Sequence, residues 1–189
     1  MRSRTRSTTG VFLDRDDTII RDRVYLSDPD GVEILPGAAE AIQALNREGV
    51  PVIMVTNQSG IARGIFDMDA LNRVHHRLTA LLAQRGARID AIYFCPHHPE
   101  GTRQEYRVSC SCRKPEPGML RKAAEAFGLD LALCYMVGDK PDDIEAVHRV
   151  GGKGILINAG TDIAMAVTPE FVARDMPDAV RWILEDMQR

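Results

Sequence analysis

Two aspartates, Asp14 and Asp16, come directly after the apolar run 11–13 and are separated by one residue. If the run is a β-strand, both side chains leave its end on the same side, because side chains alternate along a strand. Two carboxylates in one pocket repel each other. They work together if a divalent cation offsets their charge, or if one attacks a substrate while the other carries a proton. Because a carboxylate can attack phosphorus, the pair indicates metal-assisted phosphoryl transfer. The alternative is a strand that ends in an acidic turn.

Other polar residues stand at the ends of apolar runs farther along the chain. Thr56 follows one such run and Asp139, preceded by a glycine, follows another, whereas Lys114 stands before a proline. If these runs are strands of one parallel sheet, their carboxyl ends meet at the edge where such sheets bind ligands. We therefore expect Asp14, Thr56 and Asp139 to share one site.

Short apolar runs alternate with longer amphipathic segments throughout the chain. The run 52–55 is apolar and β-branched, as expected of a strand buried on both faces. The segment 36–49 begins with proline and ends with a glycine, and 68–85 carries apolar residues at helical spacing. We expect strands at 11–14, 52–55, 89–94, 135–137 and 154–157, and helices at 36–49, 68–85, 117–128, 141–150 and 178–187. This α/β alternation predicts a Rossmann-like parallel sheet with helices on both faces.

Two stretches interrupt the alternation. Residues 17–35 form a polar insert after the first strand, which we interpret as a small flap that serves as a minimal cap. Residues 96–113 form a long loop with few apolar side chains. Loops of that length inside a compact domain are usually functional or held in place by a ligand.

The long loop is bordered by residue types that bind zinc. Cys95, His97 and His98 stand at one end, and Cys110 and Cys112 stand at the other. Three thiolates and one imidazole make a tetrahedral zinc set, and such a site couples metal binding to the ordering of the loop. Four filled positions predict a structural ion, with either histidine as the fourth ligand. The alternative is three unconnected thiols and two surface histidines.

The remaining cysteine and histidines are interpreted as structural residues. Cys134 lies in a predicted strand and is expected to be a small core residue. His75, His76 and His148 lie in helical segments, where we expect them to be exposed or partly packed.

The composition is that of an ordinary globular protein of 189 residues, with 44% hydrophobic and 27% charged residues and a net charge of −3. The length suits one domain, which we place at 10–189 after a flexible tail at 1–9. The alternative for the tail is a targeting or phosphate-contacting arm. No apolar stretch is long enough to span a bilayer, and the charge does not indicate nucleic-acid or membrane binding. We expect a cytoplasmic monomer, whose cysteines indicate metal binding before disulfides.

The order of the acid pair, Thr56, Lys114 and the Gly-Asp segment at 138–139 resembles the four motifs of the haloacid dehalogenase superfamily of phosphatases. The resemblance extends over most of the chain, from residue 11 to residue 160. Segments similar to a branch of this superfamily with a zinc loop lie at 14–16, 55–64, 95–99, 112–115 and 137–140. One departure is Asp17, which stands where relatives carry glycine. We expect its side chain to point outward, since neighbouring strand positions alternate.

The resemblance implies a role for each residue of the reaction centre. Asp14 would attack phosphorus. Asp16 would protonate the leaving alkoxide and then deprotonate the water that completes hydrolysis. Thr56 and Lys114 would hold the oxygens of the transferring phosphoryl group.

The same resemblance implies two metal sites. Magnesium would be held by the carboxylates of Asp14 and Asp139 and by the backbone carbonyl of Asp16. Asp143 would orient the motif lysine or a metal-bound water, with Asp142 as its rival for that role. Similarity favours the first of the two adjacent histidines, so the zinc ligands would be Cys95, His97, Cys110 and Cys112.

Residues that bind the substrate are expected in the loops. Arg113 would hold a second phosphate through a bidentate contact, or it would remain an exposed side chain near zinc. Lys140 would be structural or would reach the substrate. Further polar contacts, including flap contacts to sugar hydroxyls, are expected from Asp22, Tyr25, Asn57, Gln58 and Ser59.

The zinc-loop branch includes phosphatases of sugar bisphosphates and of histidinol phosphate. The resemblance implies removal of the 7-phosphate of D-glycero-D-manno-heptose 1,7-bisphosphate, a step of ADP- or GDP-heptose synthesis for lipopolysaccharide. One alternative is hydrolysis of histidinol phosphate. The alternative of a different class is a non-catalytic protein that binds a phosphorylated ligand.

Overall fold

A computed structural model of the chain describes residues 8–157 and 167–189. Its strands are Val11–Leu13 (β1), Val52–Asn57 (β2), Ala91–Cys95 (β3), Tyr135–Gly138 (β4), Lys153–Ile157 (β5) and Phe171–Ala173 (β6). Its α-helices are Ala38–Arg47 (α1), Met68–Gln84 (α2), Gly118–Phe127 (α3), Pro141–His148 (α4) and Met176–Asp186 (α5). The predicted strands and helices are confirmed, with ends that differ by no more than two residues. Strand β6 was not predicted, nor were the short 3₁₀ helices Pro29–Gly31, Gln104–Tyr106 and Leu131–Leu133.

The six strands form one sheet in the order β3-β2-β1-β4-β5-β6, and every neighbouring pair is parallel. The chain runs outward from β1 to β3 and then returns to β4 on the other side of β1. This reversal creates a crevice between the ends of β1 and β4, which is where open α/β sheets bind ligands. Leu13 pairs with both Met54 and Val137, so the three central strands end at the same edge.

Helices cover both faces of the sheet, as predicted. Val11 and Leu13 pack into a core with apolar residues of α1, α2 and α5, whereas Phe12 packs into a second core with residues of α3 and α4. All three β1 side chains are fully buried. All residues of β1 are apolar because helices cover both faces of this strand.

Local signals in the sequence set the helix ends. Asp67 precedes α2, and its carboxylate accepts a 2.8 Å hydrogen bond from the Ala70 amide. Asp175 caps α5 in the same way through the Asp178 amide. Gly128 ends α3 in the left-handed conformation, with φ of +67°. These caps satisfy backbone groups that a helix end leaves without intrahelical partners.

The predicted flap folds back against the end of β1. Ile20 forms isolated bridges with both Asp16 and Ile34, and Glu33 pairs with Arg21 and Arg23 at 3.1 and 2.8 Å. These bridges hold the insert beside the carboxyl edge of the sheet. The insert is therefore placed where it can cover a ligand at that edge.

The backbone at the start of the described chain is tied to the domain. The Thr8 carbonyl accepts a 2.7 Å hydrogen bond from the Asp130 amide. Most of the expected tail, residues 1–7, lies outside the described residues. In the described parts of the chain, no helix has the length and apolar character needed to cross a membrane.

Candidate active site

Asp14 stands at the end of β1 and is held by a buried lysine. Lys114 Nζ donates to Asp14 Oδ1 at 2.7 Å and to the Val55 carbonyl at 2.9 Å, and it lies 2.6 Å from Asp143 Oδ1. One ammonium therefore pairs with two carboxylates. Of the two candidates to orient Lys114, Asp143 makes the contact. Asp142 is half-buried and lines a separate cavity together with His98 and Arg113.

Burial and charge act in opposite directions on this group. Burial disfavours the charged ammonium, but Asp14 and Asp143 together hold the pKa of Lys114 above its usual range. Burial raises the pKa of Asp143 to about 6, although Lys114 opposes that rise. Lys114 therefore remains protonated at neutral pH.

Asp139 follows β4 and completes an acidic cluster. Oxygens of Asp14, Asp139 and Asp143 all lie within 4.8 Å of one another. Burial raises the pKa of Asp139 to about 7; Lys140 opposes the rise, and the carboxylates of Asp14 and Asp143 add to it. Asp139 Oδ1 is buried and accepts no hydrogen bond from the described residues. A buried oxygen without a donor, next to further carboxylates, fits a hard divalent cation such as magnesium.

The Asp16 carboxylate faces the cleft with 15% of its side chain exposed. Three hydrogen bonds of 2.9–3.0 Å join it to Nε and Nη2 of Arg15, and Gln58 Nε2 donates to its Oδ2 at 3.1 Å. Burial raises the pKa of Asp16; Arg15 opposes that rise and Asp14 adds to it. A carboxyl with a raised pKa and a defined orientation is suited to donating and accepting a proton within one reaction cycle.

Two buried side chains near Asp16, those of Arg15 and His75, were not predicted from the sequence. Arg15 is only 1% exposed. His75, expected to be exposed or partly packed, is buried in α2, with Nε2 3.4 Å from Arg15 Nη1. The helical spacing of Leu71, His75 and Leu78 was the signal that could have placed this imidazole on the buried face. Burial, with help from Arg15, lowers the pKa of His75 to about 3, so the ring is neutral.

Thr56 and the two residues after it support the reaction centre. Thr56 is 1% exposed, and its hydroxyl accepts a 2.9 Å hydrogen bond from Gln58 Nε2. The Asn57 side chain donates to the Lys114 carbonyl and accepts from the Lys114 amide, both at 3.0 Å. The side chains of Asn57 and Gln58 thus bind groups of the protein itself. Asn57 fixes the backbone of Lys114, and Gln58 links Thr56 to Asp16.

A cleft opens beside Asp16. Of the seven residues predicted to bind substrate, six line this cleft, namely Asp22, Tyr25, Asn57, Gln58, Ser59 and Lys140. Arg113 lies instead at the neighbouring cavity with His98, and its Nη1 donates to the His97 carbonyl at 3.5 Å. The structure therefore separates Arg113 from the other six.

Asp17 points away from the reaction centre, as expected. Its side chain is exposed, and Oδ1 accepts a 2.9 Å hydrogen bond from the Asp22 amide. Its φ is +51°, in the left-handed region that glycine adopts most readily. Aspartate tolerates this region better than most residues because its short side chain bonds locally.

The zinc-loop residues converge on one point. The Sγ atoms of Cys95, Cys110 and Cys112 lie 3.1–3.5 Å apart, and His97 Nδ1 lies 3.7 and 3.4 Å from those of Cys95 and Cys112. All four cysteines of the chain are free thiols. With zinc–sulfur bonds of about 2.3 Å, a tetrahedral site has sulfurs slightly under 4 Å apart, so this set fits zinc. His98 binds Arg63 and the Glu100 amide instead.

Comparison with known proteins gives the same family as the motif order. The haloacid dehalogenase-like hydrolase family matches residues 6–151. The chain is 41% identical over 161 residues to the D-glycero-β-D-manno-heptose-1,7-bisphosphate 7-phosphatase of Photorhabdus laumondii, covering 84% of this chain and 85% of that protein. Identity to the enzyme of the same name from Escherichia coli K12 is 39% over 183 residues, covering 96% and 91%.

A similar solved structure is that of the D,D-heptose 1,7-bisphosphate phosphatase from B. bronchiseptica, complexed with magnesium and phosphate. Its TM-score is 0.80 at 33% identity, over 94% of this chain and 99% of that one. The predicted fold class is confirmed. On these matches and on the geometry of its site, the chain belongs to the haloacid dehalogenase-like hydrolases and is a phosphoric monoester hydrolase.

Proposed function

We propose that this phosphatase removes the 7-phosphate of D-glycero-β-D-manno-heptose 1,7-bisphosphate through an aspartyl-phosphate at Asp14. The observation that carries the chemistry is the buried Lys114 ammonium, 2.7 Å from the Asp14 carboxylate at the end of β1. The sugar and its anomer are supported by the names of the relatives in Photorhabdus laumondii and E. coli. The product would enter activated-heptose synthesis for lipopolysaccharide.

The reaction has two displacements at phosphorus. In the first, an Asp14 oxygen bonds to phosphorus as the bond to the sugar oxygen breaks, and the Asp16 carboxyl gives its proton to that oxygen. In the second, water attacks phosphorus while Asp16 takes its proton, and cleavage of the bond to Asp14 releases phosphate. Thr56 and Lys114 hold the phosphoryl oxygens. Asp16 thus acts first as acid and then as base, which restores the enzyme.

The charge of the acidic cluster supports a divalent cation. The carboxylates of Asp14, Asp139 and Asp143 lie together, with Lys114 paired to two of them and the half-exposed Lys140 at 3.5 Å from Asp139. The carboxylates of this cluster still outnumber the two ammonium groups beside the substrate phosphate. The carboxylates of Asp14 and Asp139 and the carbonyl of Asp16 would hold magnesium, which supplies charge screening between Asp14 and the phosphate.

The second ion would be a structural zinc. Cys95, His97, Cys110 and Cys112 would fill all four positions and hold the loop between β3 and α3. Lys114 follows the last ligand by two residues, so the zinc loop would also help to place the catalytic ammonium. We further propose that the enzyme acts as a cytoplasmic monomer, with a phosphorylated sugar as its partner.

Arg113 is the proposed contact for the second phosphate, at position 1 of the sugar. Its guanidinium offers two parallel donors to a phosphate, and among the described residues its one side-chain hydrogen bond is the long 3.5 Å contact to the His97 carbonyl. Arg113→Ala should lower kcat/KM for the bisphosphate about ten- to a hundredfold, as expected when a charge-assisted contact is lost. Hydrolysis of the 7-monophosphate should change much less.

A substrate panel with purified protein and magnesium tests the proposal. Phosphate release should be fastest with the β-anomer of the heptose bisphosphate, slower with the α-anomer and slowest with histidinol phosphate. Asp14→Asn should fold normally and release no phosphate from any of them. A higher kcat/KM for histidinol phosphate, or equal effects of Arg113→Ala on bisphosphate and monophosphate, would refute the substrate assignment.

A further inference from the structure

The Arg15 side chain is buried between the catalytic cleft and helix α2. Its Nε and Nη2 bind the Asp16 carboxylate, and its Nη1 lies 3.4 Å from Nε2 of His75. The guanidinium of Arg15 thus links helix α2 to the Asp16 carboxylate. His75 is itself 5% exposed and lies against Phe94 of β3, with ring centroids 5.8 Å apart.

We propose that Arg15 and His75 are positioning residues that hold the Asp16 carboxyl in the orientation needed for proton transfer to the leaving oxygen and from water. This inference rests on the proposed role of Asp16 as acid and base.

The first argument is the energetic cost of burying Arg15. Removing a cation from water costs several kcal/mol, even after the surroundings relax, and an apolar side chain of similar size avoids that cost. A buried guanidinium is stabilised only when its donors find partners, and here two of its nitrogens bind Asp16. The ion pair therefore links a costly buried group directly to the proposed proton carrier.

The second argument is geometric. The guanidinium is planar and its donors have fixed directions, so contacts at two of its edges set the orientation of the whole group. Asp16 occupies one edge and His75 the other. Asp16 lies beyond the end of the short strand β1, where the isolated bridge to Ile20 holds its backbone. Its carboxylate is held by Arg15 and by one hydrogen bond from Gln58. Fixing the guanidinium to α2 therefore fixes the carboxylate relative to Asp14.

The third argument is the protonation state of His75. A protonated imidazole has no acceptor and would repel Arg15. Because His75 is neutral, its Nε2 is free to accept from Arg15, which assigns the ring proton to Nδ1. The imidazole is thus suited to hold the guanidinium and does not itself exchange protons with the substrate.

Two aryl phosphates test this role. The 4-nitrophenoxide leaving group departs without a proton, whereas the more basic phenoxide benefits from protonation, so the ratio of kcat/KM for the two esters reports on acid catalysis. Arg15→Met should lower kcat/KM for phenyl phosphate about 100-fold, the loss expected for a catalytic group misplaced by 1 Å. The loss for 4-nitrophenyl phosphate should be smaller by at least tenfold, on the order expected if acid catalysis alone is impaired.

Further variants separate positioning from general damage. His75→Leu should shift the ratio in the same direction as Arg15→Met, and His75→Gln should restore it because the amide oxygen can accept from Arg15. Arg15→Lys keeps the charge without the fork and should behave like Arg15→Met. His76→Gln changes the adjacent exposed residue and should leave the ratio unchanged. If Arg15→Met does not fold, the ratios measured for His75→Leu, His75→Gln and Arg15→Lys still test the positioning role.

Equal losses on both esters, or none, in the folded Arg15 and His75 variants would overturn the positioning role. Asp16→Asn distinguishes that failure from failure of the proposed mechanism. If Asp16→Asn shifts the ratio and the Arg15 and His75 variants do not, only the positioning role is wrong. If Asp16→Asn lowers both esters equally, the acid role of Asp16 and the inference that rests on it are both wrong.

Discussion

Lys114 Nζ donates a 2.7 Å hydrogen bond to Asp14 Oδ1, although 100 positions separate the two residues in the sequence. The lysine is 3% exposed and its second ion-pair partner, Asp143, is 1% exposed. The proposed nucleophile is therefore part of a buried charge balance, and we expect folding and catalysis to depend on the same three side chains.

Lys114→Met should abolish activity and destabilise the fold by about 3–5 kcal/mol, because it leaves two buried carboxylates without a counter-ion. Urea denaturation without added metal measures this loss. The double variant Lys114→Met/Asp143→Asn should recover part of the stability but none of the activity. Lys122→Met, on the exposed side of α3, is the matched control. If Lys114→Met is as stable as the wild type, the two buried carboxylates do not depend on Lys114 as their counter-ion, and the prediction is wrong.

Metal analysis should find about one zinc per chain, as expected for one tetrahedral site. Cys110→Ser should lose most of that zinc and lower the melting temperature, since ordering of the loop is coupled to the metal. Cys134→Ala is the matched control, because Cys134 lies away from the cluster and should leave the zinc content unchanged. If metal-free wild-type protein keeps the same melting temperature, the three thiols do not share a structural zinc ion.

His75 should make the fold sensitive to acid. Its pKa is lowered from 6.5 to about 3 by burial and by Arg15, so below pH 6.5 the unfolded chain binds a proton that the folded chain does not. Stability is therefore retained above pH 6.5 and lost as the pH falls towards 3. Between pH 6.5 and 5 the loss amounts to about 2 kcal/mol.

Denaturation at the two pH values measures that loss in matched variants. His75→Gln cannot be protonated and should lose about 2 kcal/mol less than the wild type over this interval. His76→Gln, at the exposed neighbouring position, should lose as much as the wild type. The same pH dependence in all three proteins would show that the folded protein accommodates a protonated His75.

Asp17 should tolerate glycine but not valine. Asp17→Gly removes the hydrogen bond to the Asp22 amide but relieves the left-handed conformation, so stability should change by less than about 1 kcal/mol. Asp17→Val places a β-branched residue at φ of +51° and should cost about 1–2 kcal/mol. Because the side chain is exposed and directed away from Asp14, kcat should change little in either variant. A large change in magnesium affinity would show that this third acid acts on the reaction centre.

The sequence predicted the strands that carry Asp14, Thr56 and Asp139 because these strands are buried on both faces, which leaves a strong apolar signal. Asp14 and Asp139 directly follow their strands, and Thr56 is the last residue but one of β2, which ends at Asn57. The cluster of Cys95, His97, Cys110 and Cys112 was equally visible, since residue types that bind zinc flank the long loop at both ends. The three-residue strand β6 was missed because an edge strand that short has too few residues to show a pattern.

The burial of Arg15 and its contact with His75 could not be predicted from the sequence, for a different reason. A charged residue next to an active-site carboxylate is normally assigned to solvent, and its burial depends on an acceptor that α2 supplies from 60 positions away. The position of Arg113 could not be predicted from the sequence either, because the path of the loop 96–113 determines which cavity its guanidinium faces. Contacts of this kind depend on tertiary packing rather than on local pattern.

Asp14 follows a strand whose three side chains are fully buried, whereas the flap tip exposes 76% of Val24 and 38% of Tyr25. Surface ion pairs of the kind that Glu33 makes in the flap contribute little free energy. The base of the flap is anchored, because Ile19, Ile20 and Leu26 are buried in the same core as Val11 and Leu13. Moving the exposed tip alone therefore costs far less than displacing the whole flap or β1. Movement for substrate entry and phosphate departure is thus confined to the tip, and it leaves the strand that carries Asp14 in place.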